Sequence, residues 1–337
     1  MNIIYFSGEE WEKDYVIDKL LDNEITFFDK PIQEYPAQIN NEAEILSVFV
    51  KSKIGGQELD RFPNVKLIAT RSTGFDHIDF NETSKRGIIV SNVPAYGANT
   101  VAEHTFALLL NLSRRIYESY NRVLEEGKFS SDGLRGFDLK RKTIGVIGTG
   151  NIGAHVIKMA YGFNMNIVAF DIKKNEKMEK EFGVNYVEFD ELLSQSDIIT
   201  LHAPYNEHTH HMINMNNVNK IKPGAYLINT ARGGLVETGA LVYALEEKIL
   251  EGAGLDVLEE EGYMIDDTEL LFGEHPNPER LRILLANQYL IDHPSVLITP
   301  HNAFNTKEAI SRIIDTSIEN IQAFEKGNPV NIVKNNK

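Results

Sequence analysis

Residues 143–153 read TIGVIGTGNIG, a glycine-rich turn between a strand-like apolar run and a helical pattern. Gly148, Gly150 and Gly153 have the spacing G-x-G-x-x-G. The first glycine permits a tight turn, the second lets a pyrophosphate approach the backbone, and the third allows close packing of helix on strand. The next strand pattern ends at Asp171, whose carboxylate can bond the ribose hydroxyls of a dinucleotide. The segment therefore predicts a Rossmann-like unit that binds NAD, since Asp171 would repel the 2′-phosphate of NADP.

Strand-like and helical patterns alternate on both sides of this turn. The predicted strands are Asn2–Phe6, Ile45–Val50, Lys66–Thr70, Gly87–Ser91, Thr143–Ile147, Asn166–Phe170, Ile198–His202, Ala225–Asn229, Gly252–Val257 and Val296–Thr299. The predicted helices include Glu10–Asn23, one continuous helix from Thr100 to about Glu126, and a final helix at about Thr306–Lys326. This alternation predicts mostly parallel sheets covered by helices. With 337 residues the chain has room for about two domains of roughly 150 residues each.

Composition and charge argue against several functional classes. The chain has 49 acidic and 34 basic residues, a net charge of −15, so we expect neither a nucleic acid nor an anionic membrane as partner. It has no cysteine, which excludes disulfides, thiolate metal sites and a cysteine nucleophile. His208, His210 and His211 are not accompanied by acidic residues at metal-site spacing, so no metal is expected. Neither a signal-peptide pattern nor a membrane-spanning run is predicted, which favours a cytoplasmic protein.

Three titratable residues follow the carboxyl ends of predicted strands, where open parallel sheets bind their ligands. They are Arg232, Glu261 and His301. An arginine can bind a substrate carboxylate and polarise a carbonyl, and a histidine can protonate the developing alkoxide. A carboxylate can orient the imidazole and favour its charged form. These residue types are therefore suited to the reduction of a carbonyl group by a dinucleotide-dependent enzyme.

From about Ile45 to Ala323 the sequence resembles the D-isomer-specific 2-hydroxyacid dehydrogenases, and within them the D-lactate dehydrogenase branch most closely. The resemblance implies two doubly wound parallel-sheet α/β domains, a Rossmann-like NAD domain and a flavodoxin-like substrate domain, with a cleft between them. The implied ranges are 1–98 for the first part of the substrate domain, 99–299 for the NAD domain and 300–337 for a returning C-terminal helix. A homodimer through the region Asn99–Glu126 is also implied.

The resemblance assigns roles to individual residues. It makes Arg232 the residue that binds and polarises the substrate, His301 the acid and base, and Glu261 its partner. The implied cofactor contacts come from the glycine turn and from Asn151, Ile152, Asp171, Ala203, Pro204, Thr209, Thr230, Ala231 and Asp256. Backbone amides near Thr73 and Gly74 are implied to hold the substrate carboxylate, and Tyr96, Phe49 and Phe304 to line the substrate pocket.

The sequence leaves several points open. Glu259 and Glu260 precede Glu261, and the choice of the third glutamate depends on its spacing from Asp256 in the lactate branch. Many family members have proline where this chain has Gly262, and the role of residues 262–292 is not readable. The resemblance implies an NAD-dependent reduction of pyruvate to D-lactate. The alternatives are a larger 2-keto acid, such as 2-ketoisocaproate or phenylpyruvate, hydroxypyruvate, or an NADH-sensing corepressor-like binding protein.

Overall fold

Short runs of β-branched and apolar residues form parallel strands, and the segments between them form helices. A computed structural model describes residues 1–35, 42–261 and 278–333. The strands are β1 (Asn2–Phe6), β2 (Glu24–Phe28), β3 (Ile45–Val48), β4 (Leu67–Thr70), β5 (Ile89–Ser91), β6 (Thr143–Ile147), β7 (Asn166–Phe170), β8 (Asn185–Tyr186), β9 (Ile198–Leu201), β10 (Ala225–Asn229), β11 (Leu250–Leu255) and β12 (Val296–Ile298). The α-helices are α1 (Glu10–Lys19), α2 (Gly56–Asp60), α3 (Phe80–Lys85), α4 (Ala98–Arg114), α5 (Ile116–Leu124), α6 (Asn151–Gly162), α7 (Glu176–Phe182), α8 (Phe189–Gln195), α9 (Thr238–Glu246), α10 (Pro278–Asp292) and α11 (Lys307–Glu325).

The first unit consists of Met1–Tyr96 and Thr306–Lys337. Its five strands are parallel and have the order β2-β1-β3-β4-β5, the flavodoxin-like arrangement. Successive side chains of a strand point to opposite faces, so β1 contributes to two separate cores. Ile4 and Phe6 pack on one face, whereas Ile3 and Tyr5 pack on the other with apolar residues of α11. The returning helix α11 thus completes the second core of this unit.

The second unit consists of Gly97–Asn305. Its seven parallel strands have the order β12-β11-β10-β9-β6-β7-β8, which is the Rossmann arrangement extended by one strand. Because the strand order reverses between β6 and β9, a crevice opens there at the carboxyl ends of the strands. The glycine turn follows β6 and therefore lies at this switch point. The predicted fold class, two doubly wound parallel α/β sheets, is confirmed.

The structure differs from several of the predicted elements. The single helix predicted from Thr100 to about Glu126 is wrong: Arg115 adopts a left-handed conformation, with φ at 49°, and separates α4 from α5. The returning backbone causes this break, because Phe137 N–H donates to the carbonyl of Ser113 at 2.9 Å. The strands β2 and β8 are not among the predicted elements, and helix α1 ends at Lys19 rather than at Asn23.

Candidate active site

The glycine turn lies between β6 and α6. The surroundings of a β-carbon differ at each of its three glycines. Gly148 has φ at +89°, and a β-carbon there would lie 2.7 Å from the backbone of His202 and Ala203. A β-carbon at Gly153 would lie 2.0 Å from the carbonyl oxygen of Gly148. A β-carbon at Gly150 would meet no described atom within 4 Å, so the turn is open on that side. Helix α6 begins at Asn151, and its first backbone amides, including that of Ile152, follow directly. Together with these amides, the open backbone of the turn fits a pyrophosphate.

Asp171 follows β7, and its side chain is bonded to the glycine turn. Its Oδ2 accepts hydrogen bonds from the backbone N–H of Thr149 at 2.6 Å and from the Thr149 hydroxyl at 3.0 Å. Its Oδ1 accepts from the N–H of Lys173 at 2.9 Å. The hydroxyl of Tyr186 donates to Thr149 Oγ1 at 3.0 Å. A carboxylate has about four acceptor sites, so these three hydrogen bonds hold Asp171 in place and leave about one site for a ribose hydroxyl.

The other residues predicted at the cofactor lie on loops at the same edge of the sheet. Thr209 closes one loop, since its hydroxyl donates to the Pro204 carbonyl at 2.6 Å and accepts from the N–H of Asn206 at 2.9 Å. Thr230 Oγ1 lies 2.9 Å from Thr105 Oγ1 of α4. Ala203 and Ala231 are partly buried against the core of this unit. Hydrogen bonds and packing thus hold both loops on the sheet.

Arg232 lies in a turn that Asn229, at the end of β10, holds in shape. The buried Asn229 side chain donates to the Arg232 carbonyl at 2.9 Å and accepts from the Ala231 N–H at 3.0 Å. The Arg232 guanidinium donates to the Ala231 carbonyl at 2.8 Å. The following Gly233 packs so tightly that a β-carbon there would lie 2.1 Å from the carbonyl carbon of Leu258. The Arg232 turn therefore rests directly on the segment that leads to Glu261.

Asp256, predicted near the nicotinamide, is buried, and protein donors surround its carboxylate. Thr299 donates to Oδ1, and the N–H groups of Asn302 and Ala303 donate to Oδ1 and Oδ2, each at 2.8 Å. His104 Nε2 lies 3.3 Å from Oδ1. Burial opposes ionisation of Asp256, but the hydrogen bonds from His104, Thr299 and the two amides outweigh it and lower the pKa of this carboxyl. A charged Asp256 thus fixes the loop after β12.

His301 lies in that loop and faces Glu261. His301 Nδ1 is 2.6 Å from Glu261 Oε1. The second carboxylate oxygen of Glu261 accepts from the N–H of Leu258 at 3.2 Å, which turns the side chain back over its own segment. Because a carboxylate only accepts hydrogen bonds, Nδ1 carries a proton in this pair. The Nε2 atom is then the one available for acid and base chemistry.

The neighbouring glutamates have different partners. Glu259 Oε1 lies 2.6 Å from His211 Nε2, and its Oε2 accepts from the Thr238 hydroxyl at 2.7 Å. Glu260 Oε2 lies 3.5 Å from Nε of Arg280. The structure thus brings Glu261 to His301 and directs the other two glutamates elsewhere. Gly262, where the chain departs from the family pattern, lies outside the described residues.

The residues predicted to bind substrate in the first unit lie on loops at the carboxyl edge of its sheet. Thr73 donates from its hydroxyl to the Val93 carbonyl at 2.7 Å, and its own carbonyl accepts from the Asn92 side chain at 2.8 Å. The Ser72 hydroxyl donates to the Gly74 carbonyl at 2.6 Å. These hydrogen bonds are accepted by the backbone carbonyls of Val93, Thr73 and Gly74, and they hold the loop in one conformation. Phe49 and Tyr96 are partly exposed, as is Phe304 of the second unit, whose ring centroid lies 6.4 Å from that of His301.

Several residues that shape the site are not among those predicted from the sequence. Thr149 and Tyr186 orient Asp171, Asn229 shapes the Arg232 turn, and Thr299 bonds Asp256. All lie within or beside a strand end or the glycine turn, which is the only signal that the sequence offers. His104 of α4 is another such residue, since its Nε2 lies 3.0 Å from Thr299 Oγ1 within the second unit.

A Rossmann sheet with this turn, an ordered arginine loop and a carboxylate-paired histidine defines the class of dinucleotide-dependent dehydrogenases. Comparison with known proteins specifies the family. The model of the D-isomer-specific 2-hydroxyacid dehydrogenase NAD-binding domain matches residues 106–303. The chain is 33% identical over 331 residues to D-lactate dehydrogenase of Escherichia coli, covering 97% of this chain and 98% of the relative. It is 38% identical over 299 residues to glyoxylate reductase of Thermococcus litoralis, covering 87% and 84%.

A solved structure gives the same result. D-lactate dehydrogenase of Aquifex aeolicus, complexed with NAD and lactic acid, matches with a TM-score of 0.87 and 36% identity over 99% of this chain and 100% of that chain. The chain belongs to the D-isomer-specific 2-hydroxyacid dehydrogenase family and is an NAD-dependent oxidoreductase. The predicted family and the predicted cofactor are confirmed.

The position of Asp171 generates a prediction on cofactor choice. We expect kcat/KM with NADH to exceed that with NADPH at least tenfold, about 1.4 kcal/mol, because the fixed carboxylate repels a 2′-phosphate. Asp171→Asn keeps the shape and removes the charge, so it should reduce the preference. Asp190→Asn is the control, since Asp190 lies exposed on α8 beside Lys220. Binding titrations by NADH and NADPH fluorescence provide the second measurement, and equal efficiency with both cofactors in the unaltered protein would contradict this role of Asp171.

Proposed function

We propose that this protein is a D-lactate dehydrogenase that interconverts pyruvate and D-lactate with NADH and NAD. The observation that carries the proposal is the 2.6 Å contact between His301 Nδ1 and Glu261 Oε1, beside the arginine turn of an NAD-binding unit. The relatives from E. coli and A. aeolicus, both named D-lactate dehydrogenases, support the choice of pyruvate. The glyoxylate reductase of T. litoralis shows why the keto acid must be tested.

In this mechanism the residues of the chain hold the keto acid and move one proton. Bound NADH supplies the hydride that reduces the carbonyl carbon. Arg232 binds the substrate carboxylate and polarises the carbonyl, because its guanidinium presents several donors in a planar fork. His301 donates the Nε2 proton to the developing alkoxide, and Glu261 stabilises the charged imidazole through Nδ1. In lactate oxidation His301 takes the proton back.

The cofactor and substrate roles of the other residues follow the same proposal. The backbone of the glycine turn would hold the pyrophosphate and Asp171 the ribose, with the loops at Ala203 and Thr230 beside them. The amides near Thr73 and Gly74 would bind the substrate carboxylate. Phe49, Tyr96 and Phe304 would line the side of the substrate methyl group, where bulky rings favour a short keto acid. The two units would act as substrate domain and NAD domain, respectively.

A homodimer is also part of the proposal, and helix α5 supports it. Large apolar side chains of this helix and of the loop after it are exposed, with Tyr120 at 62%, Leu124 at 64% and Phe129 at 98%. None of the residues of α5 is buried within the described chain. Exposed apolar patches of this kind mark interaction surfaces. We propose that a second copy of the chain covers the patch.

A cytoplasmic location without nucleic-acid or membrane partners completes the proposal. Its support is the net charge of −15, which disfavours polyanions, and the absence of cysteine. Within the described ranges the structure contains no helix with the length and apolar character that a membrane crossing requires.

A panel of keto acids tests the proposed reaction. Oxidation of NADH is followed with pyruvate, glyoxylate, hydroxypyruvate, phenylpyruvate and 2-ketoisocaproate. We expect the highest kcat/KM with pyruvate, and reduction of NAD with D-lactate but not with L-lactate. A higher kcat/KM with another keto acid would show that this acid, and not pyruvate, is the preferred substrate. No turnover with any of them, despite tight NADH binding, would favour the corepressor-like alternative.

The contact between Glu261 and His301 predicts a specific change in the pH profile. Keto-acid reduction needs a protonated His301, whose Nδ1 lies 2.6 Å from the Glu261 carboxylate. Glu261→Gln removes the charge, so the alkaline limb of reduction should move to lower pH. Lactate oxidation needs neutral His301, so its acidic limb should also move to lower pH. Profiles of kcat/KM in both directions measure the two shifts.

Glu260→Gln is the matched control for this experiment. It makes the same substitution one residue earlier, at a side chain beside Arg280 rather than His301. Both limbs should stay in place in this variant. If the pH limbs shift in Glu260→Gln but not in Glu261→Gln, the partner of His301 in the reaction is Glu260 and the assignment of Glu261 is wrong.

The proposed dimer predicts an effect of charge on α5. Tyr120→Glu combined with Leu124→Glu should convert the dimer into a monomer, because two carboxylates would have to be buried in the interface. Sedimentation velocity measures the outcome. Leu21→Glu is the control, since Leu21 is 76% exposed on the other unit. A monomeric unaltered protein, or a double variant that remains a dimer, would contradict the assignment.

A further inference from the structure

The carboxylate of Glu259 is mostly buried, with 12% of its side chain exposed, and it joins separate parts of the second unit. Its Oε2 accepts from the hydroxyl of Thr238 at 2.7 Å and from the N–H of Thr238 at 3.3 Å, at the start of α9. Its Oε1 lies 2.6 Å from Nε2 of His211. A buried carboxylate is costly unless such bonds compensate it. Both oxygens of Glu259 are therefore committed to contacts within the protein.

The backbone of Glu259 is held as firmly as its side chain. Its carbonyl accepts a hydrogen bond at 2.7 Å from Asn287, a fully buried residue of α10. On the other side lies the Arg232 turn: a β-carbon at Gly233 would be 2.3 Å from the nitrogen of Glu259. The Glu259 segment thus forms the surface against which the arginine turn packs.

His211 provides a second connection between Glu259 and the arginine turn. The His211 N–H donates to the carbonyl of Gly234 at 2.8 Å, while its ring faces Glu259. The ring stacks on that of His210, with 3.7 Å between centroids. Gly234 itself packs on Tyr205, whose ring would lie 2.7 Å from a β-carbon at that position. The arginine turn is therefore enclosed by Tyr205 on one side and by the Glu259 segment on the other.

We infer that Glu259 is a positioning residue for the reaction: it fixes the Arg232 turn relative to the Glu261–His301 pair. The inference rests on the proposed function, in which Arg232 binds the keto acid and His301 protonates it. Glu259 lies two residues before Glu261. Its backbone packs against Gly233, and its side chain contacts His211, whose N–H donates to the Gly234 carbonyl. A displacement of about 1 Å in a reacting group can cost a factor of about 100 in rate. The position of Arg232 relative to His301 must therefore be held closely.

Removal of the carboxylate is the first test. Glu259→Ala should lower kcat/KM for the keto acid at least about tenfold, in line with the cost of misplacing a reacting group. NADH affinity, followed by fluorescence, should change less than about twofold, because Asp171 and the glycine turn are untouched. Glu259→Gln retains the size and one acceptor oxygen and should recover part of the loss. Glu260→Gln, the neighbouring change, should have no effect on turnover.

A double-mutant cycle with Arg232→Lys distinguishes positioning from a general structural role. If Glu259 acts through the Arg232 turn, its removal in the Arg232→Lys background should cost less than about threefold, since interacting sites are not additive. The two pH limbs should stay in place, because Glu261 and His301 still form their pair. If Glu259→Ala does not fold, Glu259→Gln takes its place in the cycle.

The outcomes separate this inference from the proposed function. The positioning role would be overturned if the losses in kcat/KM of Glu259→Ala and Arg232→Lys simply multiplied in the double variant. Unchanged turnover in Glu259→Ala would overturn it as well. Nearly normal turnover in Arg232→Lys alone would overturn the proposed function itself, whatever the effect of Glu259.

Discussion

The geometry of the site depends on the hydrogen bonds that the carboxylate of Asp256 accepts. Asp256 lies at the end of β11, is 1% exposed, and accepts hydrogen bonds from Thr299 and from the N–H groups of Asn302 and Ala303. His301 lies between these donors with φ at 51°, a left-handed conformation that a residue with a β-carbon rarely adopts. The hydrogen bonds of Asp256 oppose that strain of roughly 1–2 kcal/mol. A lowered pKa keeps this carboxyl charged, so its contribution to stability is lost only as pH falls through that lowered value.

The Rossmann sheet turns this local bond into an active-site arrangement. The strands are parallel, so the residues after β6, β7, β10, β11 and β12 reach the same edge of the sheet. The glycine turn, Asp171, the Arg232 turn and the Asp256 loop therefore lie along one edge of the sheet. Helix α4 adds His104, which lies near both Thr299 and Asp256. Rigid strand ends thus hold the loops that carry the chemistry.

Sequence patterns predict the parts of this site that depend on local steric rules. The three glycines follow from the turn itself and Asp171 follows from its position at a strand end, whereas Asp256 is implied only by the family resemblance. The break at Arg115 was not predictable, because its cause is the backbone at Phe137, which is distant in sequence. Likewise the three consecutive glutamates are identical in residue type, and only the family resemblance favours Glu261 among them. Only the fold, which brings His211, Arg280 and His301 to them, shows that each has a different partner.

A crystal structure of Asp256→Asn, compared with that of the unaltered protein, tests the account most directly. Asparagine replaces one acceptor oxygen by an N–H₂ group that would face the N–H of Asn302 or Ala303. We predict that the loop after β12 moves and that the distance from His301 Nδ1 to Glu261 Oε1 increases from 2.6 Å to beyond about 3.5 Å, outside hydrogen-bonding range. An unchanged loop, with His301 still left-handed and bonded to Glu261, would show that Asp256 does not determine the geometry of the site.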